Sequence, residues 1–138
     1  MQQLTQEILR LCREYGECRV EVERMEEARR VKNALESVCS MARQRLDISD
    51  PALLLALLDA CEVTRDEGML QEVLDVVGRN LDRLAVSAES VKLLACCYYY
   101  VEEEECAERA RRMLEELRKL GMGEEELADA ETILEELT

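Results

Sequence analysis

Apolar residues recur along this chain at steps of three and four, the spacing that puts them on one face of a helix. Leu4, Ile8, Leu11, Cys12 and Tyr15 form the first stripe, over Gln2–Tyr15, with Gly16 as its stop. Residues 17–46 contain neither Gly nor Pro. Their apolar positions fall in two registers: Cys18, Val22 and Met25, then Ala28, Val31, Leu35, Val38, Ala42 and Leu46. Every residue there tolerates helix, so one long helix is predicted, with a bend near 25–30 as the alternative. Asp50-Pro51 reads as an N-cap followed by proline at the first helical position. The helix it opens runs to about Val63. Its stretch Ala52–Leu58 is apolar on nearly all sides, which marks a central helix covered by several neighbours.

Residues 64–68 read as a turn, followed by a helix over Met69–Leu84. Gly78 lies inside that helix at a cost of about 1 kcal/mol relative to Ala, so close packing against a neighbouring backbone is expected there. Ser87 opens a helix through Val101. Glu102–Glu105 separates it from Cys106–Leu120, which Gly121 closes. The last helix spans Glu124–Leu137 with a narrow stripe of Leu127, Ala130, Ile133, Leu134 and Leu137. The pattern predicts one all-α domain over residues 1–138. Its six or seven helices pair as antiparallel hairpins, stacked into a short right-handed superhelix or a compact bundle. Both ends read as polar caps around a more apolar middle, as expected of a complete domain.

A fixed period signals stacked units. Shifting the chain by 36 residues lays Leu55, Leu57, Leu58 and Cys61 on Val91, Leu93, Leu94 and Cys97. It also lays Leu74, Val77, Leu81 and Leu84 on Ala110, Met113, Leu117 and Leu120. This gives hairpin units over 51–86 and 87–122, N-terminal helices over 1–46 and a capping helix over 124–137. Within 87–122, Ala95 and Ala107 are small residues twelve apart, flanked by the large Leu94 and Tyr98. This pattern resembles tetratricopeptide repeats, where small residues at that spacing let paired helices approach closely. The stretch Ala107–Gly121 is similar to the second helix of a pentatricopeptide unit. Lys119 stands where a tetratricopeptide unit often has proline, Val91 where it has Trp, and Asp59 at the first small position of the preceding unit. The resemblance covers residues 51–137 and implies a helical-repeat scaffold that binds a protein or peptide. Its pentatricopeptide side implies RNA binding.

Charge changes that last implication. The chain has 138 residues and a formal net charge of −14. Residues 101–138 hold fourteen acids against five bases, whereas the first fifty residues are nearly balanced. Nucleic-acid affinity rests on cations that displace counterions, and the one basic patch, Arg24, Arg29, Arg30 and Lys32, is diluted by Glu23, Glu26 and Glu27. Neither nucleic acid nor an anionic membrane is expected as a partner. No apolar run approaches the roughly 20 residues of a membrane span, and the first thirty residues are charged throughout, unlike a signal peptide. The seven cysteines are odd in number and form no CxxC pair. Most occupy apolar positions of helical stripes, which fits free thiols in a reducing compartment, cytoplasmic or nuclear.

The chemistry of catalysis is poorly represented. His is absent, which removes histidine triads, imidazole switches and His-ligated metal. The five glycines are scattered rather than gathered in a phosphate loop. No enzyme activity, cofactor or metal site is therefore expected. Cys96-Cys97 lies beside Tyr98–Tyr100 and a glutamate run, surroundings that raise a thiol pKa rather than activate it. Tyr98, Tyr99 and Tyr100 point about 100° apart around a helix, so one or two must reach the surface. Tyrosine joins an apolar body to a polar tip, which suits a binding groove. Tyr98, Tyr99, Lys92, Arg65 and Leu58 are the candidate partner-binding residues. The expected function is an adaptor or scaffold for a protein or peptide, basic where it meets Glu102–Glu105 and Glu108. Two alternatives differ in class: a homo-oligomeric or engineered helical scaffold with no natural ligand, and an RNA-binding repeat.

Overall fold

The computed structural model describes residues 2–137, without the side chains of Gln2, Glu124, Glu126, Ile133, Leu134, Glu136 and Leu137. Among the described residues there are seven α-helices and no strand: α1 (Gln2–Cys18), α2 (Met25–Arg43), α3 (Pro51–Thr64), α4 (Glu67–Arg79), α5 (Ala88–Val101), α6 (Glu104–Lys119) and α7 (Glu124–Leu137). Each of the first three pairs, α1–α2, α3–α4 and α5–α6, packs together. The first members also form a layer of their own, with α3 between α1 and α5, and α5 between α3 and α7.

Local sequence explains most boundaries. The Asp50 carboxylate accepts from the Leu53 N–H at 3.2 Å, and Pro51 follows at the first helical position. Asp66 caps α4 through the Met69 N–H at 3.0 Å, and the Ser87 hydroxyl caps α5 through the Ser90 N–H at 3.1 Å. At the end of α6, Gly121 takes a left-handed φ of 83°. The Met122 N–H then reaches back to the Leu117 carbonyl and the Gly121 N–H to that of Arg118, the paired bonds of a Schellman stop.

Four expectations are corrected. Residues 17–46 are not one helix: α1 runs through Gly16 to Cys18, a short 3₁₀ turn occupies Val22–Arg24, and α2 starts at Met25. The break lets the chain fold back, so that Ile8, Leu11 and Cys12 of α1 and Ala28, Leu35, Cys39 and Ala42 of α2 are all buried. That burial outweighs the helix preference of the residues between. Gly78 is exposed, and a Cβ added there would meet nothing within 4 Å, so no close backbone approach accounts for it. α4 stops at Arg79, where the Asn80 side-chain amide donates to the Val76 carbonyl at 2.7 Å, and Leu81–Arg83 continue as a 3₁₀ turn.

The fourth correction concerns the register of the repeat. The N-caps Asp50 and Ser87 are 37 residues apart, as are the left-handed helix ends Arg65 and Glu102. At this spacing burial repeats position by position: Leu54 with Val91, Leu57 with Leu94, Leu58 with Ala95, Ala60 with Cys97, Met69 with Cys106 and Val73 with Ala110. The period of 36 is thus one short. The core runs through all seven helices, with Leu53, Leu57, Leu93 and Leu94 at its centre and Leu127 and Ala130 closing the α7 side. The side chains of the α7 stripe positions Ile133, Leu134 and Leu137 lie outside what is described.

Candidate functional site

The outer face of the α1–α3–α5–α7 layer gathers the polar and aromatic groups. On α3, Leu55, Asp59 and Glu62 follow one another at helical steps of four and three. On α5, 37 residues on, Lys92, Cys96 and Tyr99 repeat that stripe. The two stripes meet in space. The Tyr100 hydroxyl donates to the Glu62 carboxylate at 2.8 Å, tying the end of α5 to the end of α3. The rings of Tyr99 and Tyr100 stand edge to face, 5.2 Å apart at 79°. Lys92 Nζ lies 3.8 Å from the Asp129 carboxylate, which carries the same face on to α7.

Electrostatics confirm the proximity. Partial burial pushes the Cys96 thiol up, and the charges of Asp59 and Glu62 push it further. Asp59 itself is raised, first by loss of water and then by the Glu62 charge. Among the described residues no cation pairs with Asp59. Tyr100 is raised by burial and by its bond to Glu62, so its hydroxyl stays protonated as the donor. This face therefore presents two neighbouring carboxylates, one half-buried thiol and one open aromatic ring.

The predicted site residues fall out unevenly. Tyr99 is 60% exposed and stands on this face. Lys92 shares it but is held by Asp129. Arg65 is exposed at the end of α3, in the left-handed conformation with φ 62°, and borders a small cavity of about 180 Å³ with Glu62, Asp66, Leu70 and Tyr100. Tyr98 is half-buried and packs against the core. Leu58 is a correction: it is 2% exposed and lines no groove. Its counterparts at either spacing, Leu94 and Ala95, are fully buried too, and all three belong to the core. Asp59, Glu62 and Tyr100 were not among the predicted residues. The signal that finds them is the Leu55–Asp59–Glu62 stripe, an acid pair on an otherwise apolar helix.

The remaining thiols are inert. Burial pushes Cys12 up to about 11 and Cys39 and Cys61 up to about 12, each with nearby negative charge adding to the effect. Cys97 and Cys106 are raised by burial as well. Among the described residues no helix is long and apolar enough to cross a membrane, and no group of three or more acid or cysteine side chains is arranged to hold a metal ion. Comparison of the chain with protein-family models, with curated proteins and with solved structures finds no match.

Proposed function

We propose that this chain is a non-enzymatic helical-repeat interaction module that holds a basic protein or peptide segment on the face shared by α3 and α5. The observation that carries the reading is the pair of exposed carboxylates Asp59 and Glu62, one turn apart on α3 and close to Cys96 of α5, on the face that also carries the open Tyr99 ring, with no ion-pair partner for either among the described residues. Like charges side by side repel, and a cation placed between them relieves that repulsion. A lysine or arginine side chain from a partner does so, and its stem or guanidinium packs on the Tyr99 ring. Helical hairpins stacked side by side supply the rigid platform that such docking needs. Free, buried thiols with raised pKa values suit a reducing compartment, cytoplasmic or nuclear.

The test is titration of the isotope-labelled protein with a short Lys/Arg-rich peptide and with its Glu-rich counterpart. Saturable amide shifts at Asp59, Glu62, Tyr99 and Tyr100 with the basic peptide alone support the reading. The double variant Asp59→Asn, Glu62→Gln should weaken binding by about tenfold or more, since hydrogen bonds to charged groups contribute about 1.5–3 kcal/mol each. No saturable shift on this face, or equal binding by the double variant, overturns it. Light scattering checks self-assembly separately, since a strict monomer excludes a homo-oligomeric scaffold.

A further inference from the structure

The opposite charge is concentrated elsewhere. Between the end of α1 and the start of α2 runs a groove of about 340 Å³ lined by Tyr15, Arg19, Met25, Ala28, Arg29 and Lys32. Three of these six side chains are cationic and none is acidic, in a chain of net charge −14. Most ion-paired cations elsewhere sit close to acids: Arg10 is held by Glu7 and Glu14, Arg43 by Asp66 and Glu72, Lys92 by Asp129. Among the described residues no carboxylate lies within ion-pair distance of Arg19, Arg29 or Lys32. The nearby acids are partly engaged: Glu27 accepts from Arg24 at 2.9 Å, and Glu21 lies 3.7 Å from the same guanidinium. Arg19 is held in place over the Tyr15 ring, 5.9 Å from its centroid.

One wall of this groove is apolar and open: Met25, which lines it, is 54% exposed, and Val20 and Val22, 76% and 87% exposed, lie in the turn just before it in the chain. Buried Ala28 supplies a small side chain at the floor. Such residues in a turn do not help the fold, which has left them in water. An exposed Met25 beside three cations with no ion-pair partner among the described residues matches a segment that carries carboxylates and an apolar side chain together.

We propose that this groove is a second docking site, distinct from the α3–α5 face, and that it takes an acidic segment of a partner protein bearing an apolar side chain. Its carboxylates pair with Arg19, Arg29 and Lys32, and its apolar side chain covers Met25. Nucleic acid fits less well: three cations release few counterions, and a phosphate chain brings no apolar side chain to cover Met25. The module then has two ends of opposite preference, an acidic aromatic face for a basic segment and a basic groove for an acidic one.

The test uses the full chain and a fluorescein-labelled peptide of repeated Glu-Glu-Leu, with its Lys-Lys-Leu counterpart as the control. The Glu peptide should bind saturably and shift the amides of Tyr15, Arg19, Met25 and Lys32. The variant Arg29→Glu, Lys32→Glu, and separately Arg19→Glu, should weaken it by about tenfold or more while leaving the far-UV spectrum and any binding of the Lys peptide unchanged. These positions are on the surface, so the fold is expected to survive. Absence of saturable binding, undiminished binding by both variants, or shifts confined to other helices overturns the proposal. So does competition by a uridine oligomer at equal strength, which makes the groove a phosphate site. Sedimentation showing a dimer that Arg29→Glu, Lys32→Glu dissociates also overturns it, since the occupant is then a second copy.

Discussion

At the scale of single residues, Asp59 and the thiols show how burial and charge separate function from packing. The folded pKa of Asp59 is raised, so the native state holds its proton more tightly than the unfolded chain does. The resulting penalty is absent at pH values below the unfolded pKa, grows as pH rises through the folded pKa, and is fully present at neutral pH. Asp59→Asn should therefore raise stability at pH 7 and have little effect near pH 3, measured by thermal unfolding at both values. Its exposure keeps the gain below about 1 kcal/mol. An unchanged melting temperature at pH 7 contradicts this account of the site. Among the thiols, Cys96 alone is half-exposed while the other six are buried. Alkylation of the native protein at pH 8 should modify Cys96 first, although slowly because its thiol is raised, and the other six only on unfolding. Mass spectrometry of the digested product reads the order.

At the scale of elements, the caps decide what could be read in advance. Asp50-Pro51, Ser87 and Gly121 carry their chemistry in their side chains or in the lack of one, and the helices they bound are where the pattern puts them. Arg65 and Glu102 hold left-handed conformations that usually select glycine, so nothing in their identity announces a helix end. That concealment contributes to the one-residue error in the repeat. The break at residues 19–24 left a trace in the two apolar registers of 17–46 but no local breaker to place it, because it is imposed by the burial of two stripes on each other. On the candidate face, Tyr99 was legible from the angular spread of the three tyrosines. Asp59 and Glu62 were not, because their significance depends on α5 lying beside α3. Two substitutions follow from the geometry. Glu102→Gly should stabilise by about 0.5–1 kcal/mol by relieving the left-handed backbone at φ 52°. Gly78→Ala should stabilise by a similar amount, since its new methyl group meets nothing and helix propensity improves. Denaturant melts check both, and a loss of stability at Gly78 would mean that its missing side chain matters to the slot it borders with Cys97 and Cys106.

At the scale of the molecule, the net charge of −14 sets two electrostatic effects against each other. Favourable ion pairs exist, including Arg43 Nε to Glu72 at 2.9 Å, which ties α2 to α4, and Arg118 to Glu131, which ties α6 to α7. Nearly all of them are exposed, where a pair is worth about 0.2–1 kcal/mol and salt weakens it. Against them stands repulsion among the fourteen acids of residues 101–138, which only five bases offset. Both effects fade as the Debye length falls from about 30 Å at 0.01 M salt to about 8 Å at 0.15 M. The repulsion is the longer-ranged of the two, so it is screened first and more completely. Salt should therefore stabilise this protein: its melting temperature should rise by a few degrees between those ionic strengths, about what 1 kcal/mol yields in a domain of this size. The gain should concentrate where the acids do, with amide exchange slowing most in α6 and α7 and least in α1 and α2. A melting temperature that falls with salt would show that the ion pairs between α2 and α4 and between α6 and α7 outweigh the repulsion. The acidic end would then be held together by its arginines, not merely tolerated for the sake of the surface it presents.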